Sequence, residues 1–393
     1  MSSVAWTPEL RQWLDESACE AGFDAAGVAE VREAGDPVAA QEAERFAAWV
    51  EAGRAGEMEY LKRRNEAGTL LRSGLRVALP WARSVVVCAL NYNADASRSI
   101  DAAPQGTGWI ARYAWSGRTG EDGAAIPTDY HDELLGRLRG IEAGLLAQTG
   151  CATRSYVDTG PLVERSLAVE AGVGWIGKNT CLIRQGMGSW LLLGVIVTSL
   201  PAEELAAPKP AFSAPDRCGS CTRCIDACPT GALLGTKDPA AAREMDASRC
   251  IAYLTIEKKG AIDLGLRGEM GRQVFGCDIC QDVCPWNRKA PIRGRDGMRP
   301  RGELVNPALE WLATMDGREF KRRFRGSPLE RTGRKRLLRN VAIAMGNSRE
   351  ERFLEQLDVW RTGDETVLAD AAEWARDRIL ELRRNGPRDC GAG

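Results

Sequence analysis

The spacing of apolar residues changes along the chain, and the changes divide it. Thr7 to Ala21 puts Leu10, Trp13, Leu14 and Ala18 on one helical face, with Thr7 suited to cap the helix and Pro8 to open it. A second helical pattern over Glu42 to Ala52 turns Phe46, Trp49 and Val50 inward. Ser84 to Leu90, Ala152 to Val157 and Trp190 to Ser199 are apolar runs bounded by turn residues, which predicts buried strands. Asp132 to Thr149 predicts a long helix, and a shorter one carries Leu162, Arg165, Ser166 and Val169. Gly117 to Thr128, rich in glycine and small residues, reads as a loop ending at Asp129-Tyr130-His131. Strands alternating with helices make residues 1–205 an α+β, α/β-like domain.

Three prolines in Ala206 to Pro215 mark a linker into a second domain, 206–295. Beyond it, Asn306 to Met315, Leu337 to Met345, Glu351 to Trp360 and Glu365 to Arg384 carry helical periods. They predict an all-helical, HEAT-like region over 296–393, frayed from Pro387.

The second domain holds eight of the thirteen cysteines. Cys218, Cys221, Cys224 and Cys228-Pro229 repeat the C-x2-C-x2-C-x3-C-P spacing of bacterial ferredoxins, in which the fourth cysteine serves the other cluster. Cys277, Cys280 and Cys284-Pro285 form a second run lacking its first cysteine, for which Cys250 can stand in. The spacing assigns Cys218, Cys221, Cys224 and Cys284 to one [4Fe–4S] cubane, and Cys228, Cys250, Cys277 and Cys280 to another. A zinc site from Cys221/Cys224 and Cys277/Cys280 competes, but leaves the remaining cysteines unexplained. Cys19, Cys88, Cys151, Cys181 and Cys390 read as buried small hydrophobes or a tail thiol.

Composition adds little until charge is located. The 393 residues are 44% apolar, with a formal charge of −1. No stretch is apolar enough to span a membrane, and the start lacks a basic region, an apolar core or paired arginines. A cytoplasmic monomer is expected. Between Arg318 and Arg339, however, ten basic side chains face only Glu319 and Glu330. Such a run is either a solvated helix face or a surface for a polyanion.

Several motifs together resemble one family. They are Val157-Asp158-Thr159-Gly160-Pro161-Leu162, Gly174-Trp175-Ile176-Gly177-Lys178-Asn179-Thr180, the cysteine runs, Phe324-Arg325-Gly326-Ser327-Pro328 and Leu338-Arg339-Asn340. In this order they resemble the epoxyqueuosine reductases, cobalamin-dependent iron–sulfur enzymes of tRNA modification. The resemblance implies reduction of the epoxide of epoxyqueuosine, at the tRNA wobble position, to the alkene of queuosine. It also implies an external low-potential electron donor and cobalamin bound with its lower base detached. By the same resemblance Asp158 is the proton donor, expected in a closed, apolar pocket; an Asx-turn or helix cap is its structural alternative. Met58, Tyr60, Arg112, Tyr113, Asn179, Ile183, Leu193 and Ala252 become candidates to line the cofactor, with His131 to orient substrate. Lys258, Lys259, Arg322, Arg323, Arg325, Arg334, Lys335 and Arg336 become candidates for tRNA. Two features depart from the family pattern: Trp115 to Thr128 intervenes before Asp-Tyr-His, and Ala252 replaces a serine. A reductive dehalogenase, or an electron carrier without a substrate, remains as an alternative.

Overall fold

The computed structural model describes residues 5–33, 35–202, 217–235, 243–295 and 297–385. The linker expected at Ala206 to Pro215, the tail from Pro387 and Cys390 lie outside them.

An antiparallel sheet of four strands centres the N-terminal part: β1 (Ala25–Glu30), β2 (Ser84–Asn91), β3 (Thr153–Tyr156) and β4 (Leu191–Thr198), ordered β1-β2-β4-β3. Helices cover both faces, so β2 is buried along its whole length and shows no polar alternation. Val86, Cys88 and Leu90 pack with Leu10 and Leu14 of helix Pro8–Glu20 and Leu134 and Leu138 of helix Tyr130–Thr149. Val85, Val87 and Ala89 face Leu162 and Ala168 on the other side. Gly27 is what lets helix Glu164–Glu170 approach: a Cβ there would stand 2.1 Å from the Ala171 carbonyl oxygen. Strand β1 escaped the sequence reading because it is short and alanine-rich.

Two expectations need correction. Helix Pro37–Glu51 begins earlier than Glu42, capped by Asp36, and buries none of its residues fully. Its Phe46 and Trp49 border a cavity, and Trp49 also packs against the core as expected. The glycine-rich stretch is not a loop: Ser116–Thr119 and Ala125–Pro127 form a hairpin, and Arg299–Pro300 adds a third strand. The turn at Gly120 to Gly123 closes it, with Gly123 at φ +78°.

The cysteine-rich and C-terminal helical segments share one core. Ile251, Leu254 and Phe275 pack with Leu309, Phe324, Val341, Met345 and Ile379, and Met58 and Ile110 of the N-terminal part join them. Helix Pro328–Ser348 is broken at Gly333, φ 75° and ψ 154°, so the basic run lies across a kink. Arg339 is only 1% exposed. Its guanidinium donates to the carbonyls of Leu254, Lys258 and Gly260, and to Asn340 Oδ1. Asn340 Nδ2 donates to the carbonyls of Thr255 and Val274. Burial, then the nearby Arg336 charge, lowers the Arg339 pKa to about 10, so it remains a cation at neutral pH. No described helix is long and apolar enough to cross a membrane.

Arg339→Met would strand those carbonyls and should cost about 2–4 kcal/mol in urea unfolding. A loss below about 0.5 kcal/mol, the range of an ordinary surface substitution, would sink the view of Arg339 as a structural clamp.

A candidate active site beside two cysteine tetrads

Each cysteine run folds as a tight turn into a short helix. The Cys221 N–H donates to the Cys218 carbonyl, helix Arg223–Ala227 follows, and Cys228-Pro229 ends it. The second run repeats this with helix Ile279–Asp282 and Cys284-Pro285. Lys178, read in a glycine-spaced stretch, is buried and donates to the Gly219 carbonyl at 2.7 Å, tying the preceding turn to the first run.

The thiols gather in two sets. Burial and the neighbouring Cys218, Cys284 and Cys221 thiols push Cys224 up to about 12. Cys284 rises to about 11 from burial, Cys218 and Cys221 again among its neighbours. Cys277 is raised well above the usual thiol range by burial and by Cys250, with Cys228 also near. Cys280 interacts with Cys277 and Cys250. Thiolates so crowded and buried cannot all ionise unless cations share the site, which two iron cubes would supply. No three Cys, His, Asp or Glu side chains among the described residues meet closely enough for a single metal ion. A cube of irons holds its thiolates farther apart than one ion does. Cys181, read as a plain hydrophobe, lies against Cys280, with Cys250 and Cys284 nearby.

Next to the second set opens a cavity of about 750 Å³. Phe46, Trp49, Met58, Tyr60 and Leu61 form one wall; Leu162 to Leu167 and Leu191 to Leu193 form the other. Thr180, Met245 and Ala247 complete it on the cysteine side, and Asp158 and Tyr130 also line it. Of the residues expected to line a cofactor, Met58, Tyr60 and Leu193 are here. Arg112, Tyr113, Asn179, Ile183 and Ala252 are not among its lining residues. Arg112 is buried elsewhere: its N–H donates to Asp278, its guanidinium stacks on Trp115 and Trp190, and it pairs with Asp282 at 3.6 Å. Ile183 packs with Trp175 and Cys284. Tyr113 packs on Tyr130 and Phe275, Asn179 is buried in the Gly177–Cys181 turn, and Ala252 sits in helix Ile251–Ile256.

Asp158 is not enclosed as expected: its side chain is 66% exposed. Its backbone is left-handed, φ 57°, which is uncommon for a residue with a side chain. Tyr130 donates its O–H to Asp158 Oδ2 at 2.9 Å, and burial together with that carboxylate keeps the phenol protonated. His131 Nε2 stands 3.9 Å from the same oxygen while its Nδ1 meets Asp129 at 2.8 Å. Arg331 also pairs with Asp129.

The carboxyl in the desolvated position is Glu164, which the sequence reading passed over. Burial, then the Asp158 charge, raises it to about 7, and its Oε1 is buried without a hydrogen-bond partner. Only its place six residues after Asp158, opening an apolar helix, could have drawn attention.

The basic run divides in two. Arg334 donates to the Met315 carbonyl, and Arg336 to those of Ile256, Thr332 and Arg331, so both are structural rather than free. Lys258 pairs with Glu57, and Lys335 with Glu365. Arg322 and Arg323 share Glu319 but remain exposed, as do Arg325 and Lys259.

Crowded buried thiols on one side of a large cavity and an acid at its edge define an iron–sulfur oxidoreductase. A family model described as 4Fe-4S double cluster binding domain matches residues 217–287, and one described as Epoxyqueuosine reductase QueG, DUF1730 matches 72–159. The epoxyqueuosine reductase of Xanthomonas campestris is 36% identical over 360 residues, 91% of this chain and 92% of that protein. That of Pseudomonas aeruginosa is 35% identical, over 96% and 95%. A crystal structure of an epoxyqueuosine reductase with an epoxyqueuosine-modified tRNA-Tyr stem loop matches at TM-score 0.75 and 29% identity, over 97% and 95% of the two chains. The Bacillus subtilis epoxyqueuosine reductase, solved with an aspartate catalytic loop swung out of the active site, matches at 0.74 and 28%, over 97% and 95%. The chain belongs to the epoxyqueuosine reductase family.

Glu164 gives stability a pH dependence of known sign. Its folded pKa lies above the unfolded 4.5, so its contribution is fully present below about 4.5 and is lost as pH rises towards and through about 7. Glu164→Gln should therefore gain thermal stability relative to the parent as pH goes from about 5 to 8. Parallel melting curves for the two proteins at every pH would refute this.

Proposed function

We propose that the chain reduces the epoxide of epoxyqueuosine at the tRNA wobble position to the alkene of queuosine, consuming two electrons and two protons and releasing water. The observation that carries this is Asp158, exposed on a cavity also lined by Thr180, Met245 and Ala247, close in the chain to Cys181 and Cys250. Cys218, Cys221, Cys224 and Cys284 hold one cubane, and Cys228, Cys250, Cys277 and Cys280 the other. The cavity fits a large flat cofactor with apolar faces, and Met58, Tyr60 and Leu193 would hold cobalamin there. Bound cobalamin supplies a low-valent metal centre that accepts electrons singly and delivers two to the strained ring.

The chain's own residues handle the proton. Asp158 gives it to the oxygen leaving the ring, which is general-acid work. Tyr130 holds the carboxyl in place, and His131, itself fixed by Asp129, stands ready on the same oxygen. The hairpin Ser116–Thr119/Ala125–Pro127 is the extra segment ahead of Asp129-Tyr130-His131.

The three-part division into 1–205, 206–295 and 296–393 follows these roles, the last being a HEAT-like tRNA platform. Arg322, Arg323 and Arg325 of that platform, with Lys259 of the cysteine-rich part, are the available cations, and their contacts would make tRNA binding fall with salt. A cytoplasmic monomer fed by an external low-potential donor completes the reading.

Asp158→Asn should keep iron content and corrinoid binding while turnover of epoxyqueuosine-bearing tRNA falls about 10²–10⁴-fold. Full turnover with both cofactors present would remove Asp158 from the chemistry. Cys284→Ala, by contrast, should lower iron per chain, as measured after anaerobic purification.

A further inference from the structure

The second tetrad lies beside the cavity, through Met245 and Ala247, five and three residues ahead of Cys250. Electrons from outside therefore enter at Cys218, Cys221, Cys224 and Cys284. Around these ligands the chain is basic. Arg223 precedes Cys224, and residues 285–295 hold Arg288, Lys289, Arg293 and Arg295 without an acidic residue. Arg293 and Arg295 are occupied by Asp24. Arg223, Arg288 and Lys289 are exposed, and no ion pair or hydrogen bond engages their side chains among the described residues. Ile292 beside them is 57% exposed. The segment is held firmly: Asn287 Oδ1 accepts from the Ser189 N–H and the Ala290 carbonyl accepts from Asn93. The described acid next to the first run is Asp226, which takes a hydrogen bond from Thr222.

Cations without a partner among the described residues, around a bare apolar side chain and next to the entry tetrad, make an encounter surface for an anionic protein. We propose that Arg223, Arg288, Lys289 and Ile292 dock a small, acidic ferredoxin-type carrier that delivers electrons to the cluster at Cys218, Cys221, Cys224 and Cys284. In each encounter the carrier's reduced cluster loses one electron and the chain's oxidised cubane gains it; no bond forms or breaks. Two encounters supply the two electrons of one epoxide reduction. The proposal rests on the reading of the eight cysteines as two cubanes.

The test is anaerobic stopped-flow reduction of the cluster-loaded full chain by a reduced acidic [2Fe–2S] ferredoxin, with dithionite as the small-molecule control. For the parent, the ferredoxin rate should fall steeply as salt is raised, since the encounter is screened within a Debye length. In Arg223→Glu/Arg288→Glu/Lys289→Glu it should fall about tenfold or more, while the dithionite rate, iron content and tRNA stem-loop binding stay at parent values. The triple alanine variant serves the same purpose if charge reversal disturbs cluster loading. A parent rate independent of salt, or variants reduced by ferredoxin at the parent rate, would overturn the proposal. So would variants that lose tRNA binding but keep the ferredoxin rate, since the patch would then serve RNA. A parent that dithionite cannot reduce would instead defeat the cluster reading itself.

Discussion

Two adjacent side chains, Arg339 and Asn340, hold together the parts that carry the chemistry. Between them they donate to carbonyls at Leu254, Thr255, Lys258, Gly260 and Val274. Leu254 and Thr255 belong to the helix that follows Cys250, and Val274 lies three residues before Cys277. Two cysteine-bearing segments are thus set against each other by groups from a third. A buried guanidinium is costly to desolvate, and hydrogen bonds to neutral carbonyls offset that cost without an opposite charge. The helical region is therefore part of what fixes the cysteine positions, which is why the hydrophobic core runs through both segments.

A second constraint is the burden of buried negative charge. Asp278 is raised to about 7 by burial and by Asp282; it adjoins Cys277, and Asp282 lies two residues from both Cys280 and Cys284. Arg112, held between Trp115 and Trp190, is the cation that the structure supplies against them. Without it two carboxylates would stand beside thiolates that must themselves be ionised to bind iron. Arg112 thus acts on the clusters' surroundings, not on the cavity.

What could be read from the sequence was what local geometry dictates. Cysteine spacing is set by turns of a few residues, and each run does fold as such a turn. The long apolar runs of β2 and β4 were equally plain. Partners distant in sequence were not legible. Arg334 and Arg336 look like any exposed arginine until the carbonyls they cap are in place. The hairpin over 116–127 carries too few apolar residues to show a strand period, and it is stabilised by Arg299–Pro300, far along the chain. Glu164 was hidden for the same reason, since its desolvation comes from walls contributed by separate segments.

Asp158 and Glu164 line one cavity in different surroundings. Glu164, sunk among apolar side chains, resists ionisation. Asp158 stands in water on a left-handed turn that costs on the order of 1 kcal/mol for a residue with a Cβ. Tyr130's hydroxyl reaches Asp158 in that conformation and helps to hold it. On the reading of Asp158 as the proton donor, an arriving nucleoside would displace that solvent and supply the apolar surroundings the chain leaves out. The exposed carboxyl is the one open to an incoming molecule, and the buried one belongs to the wall.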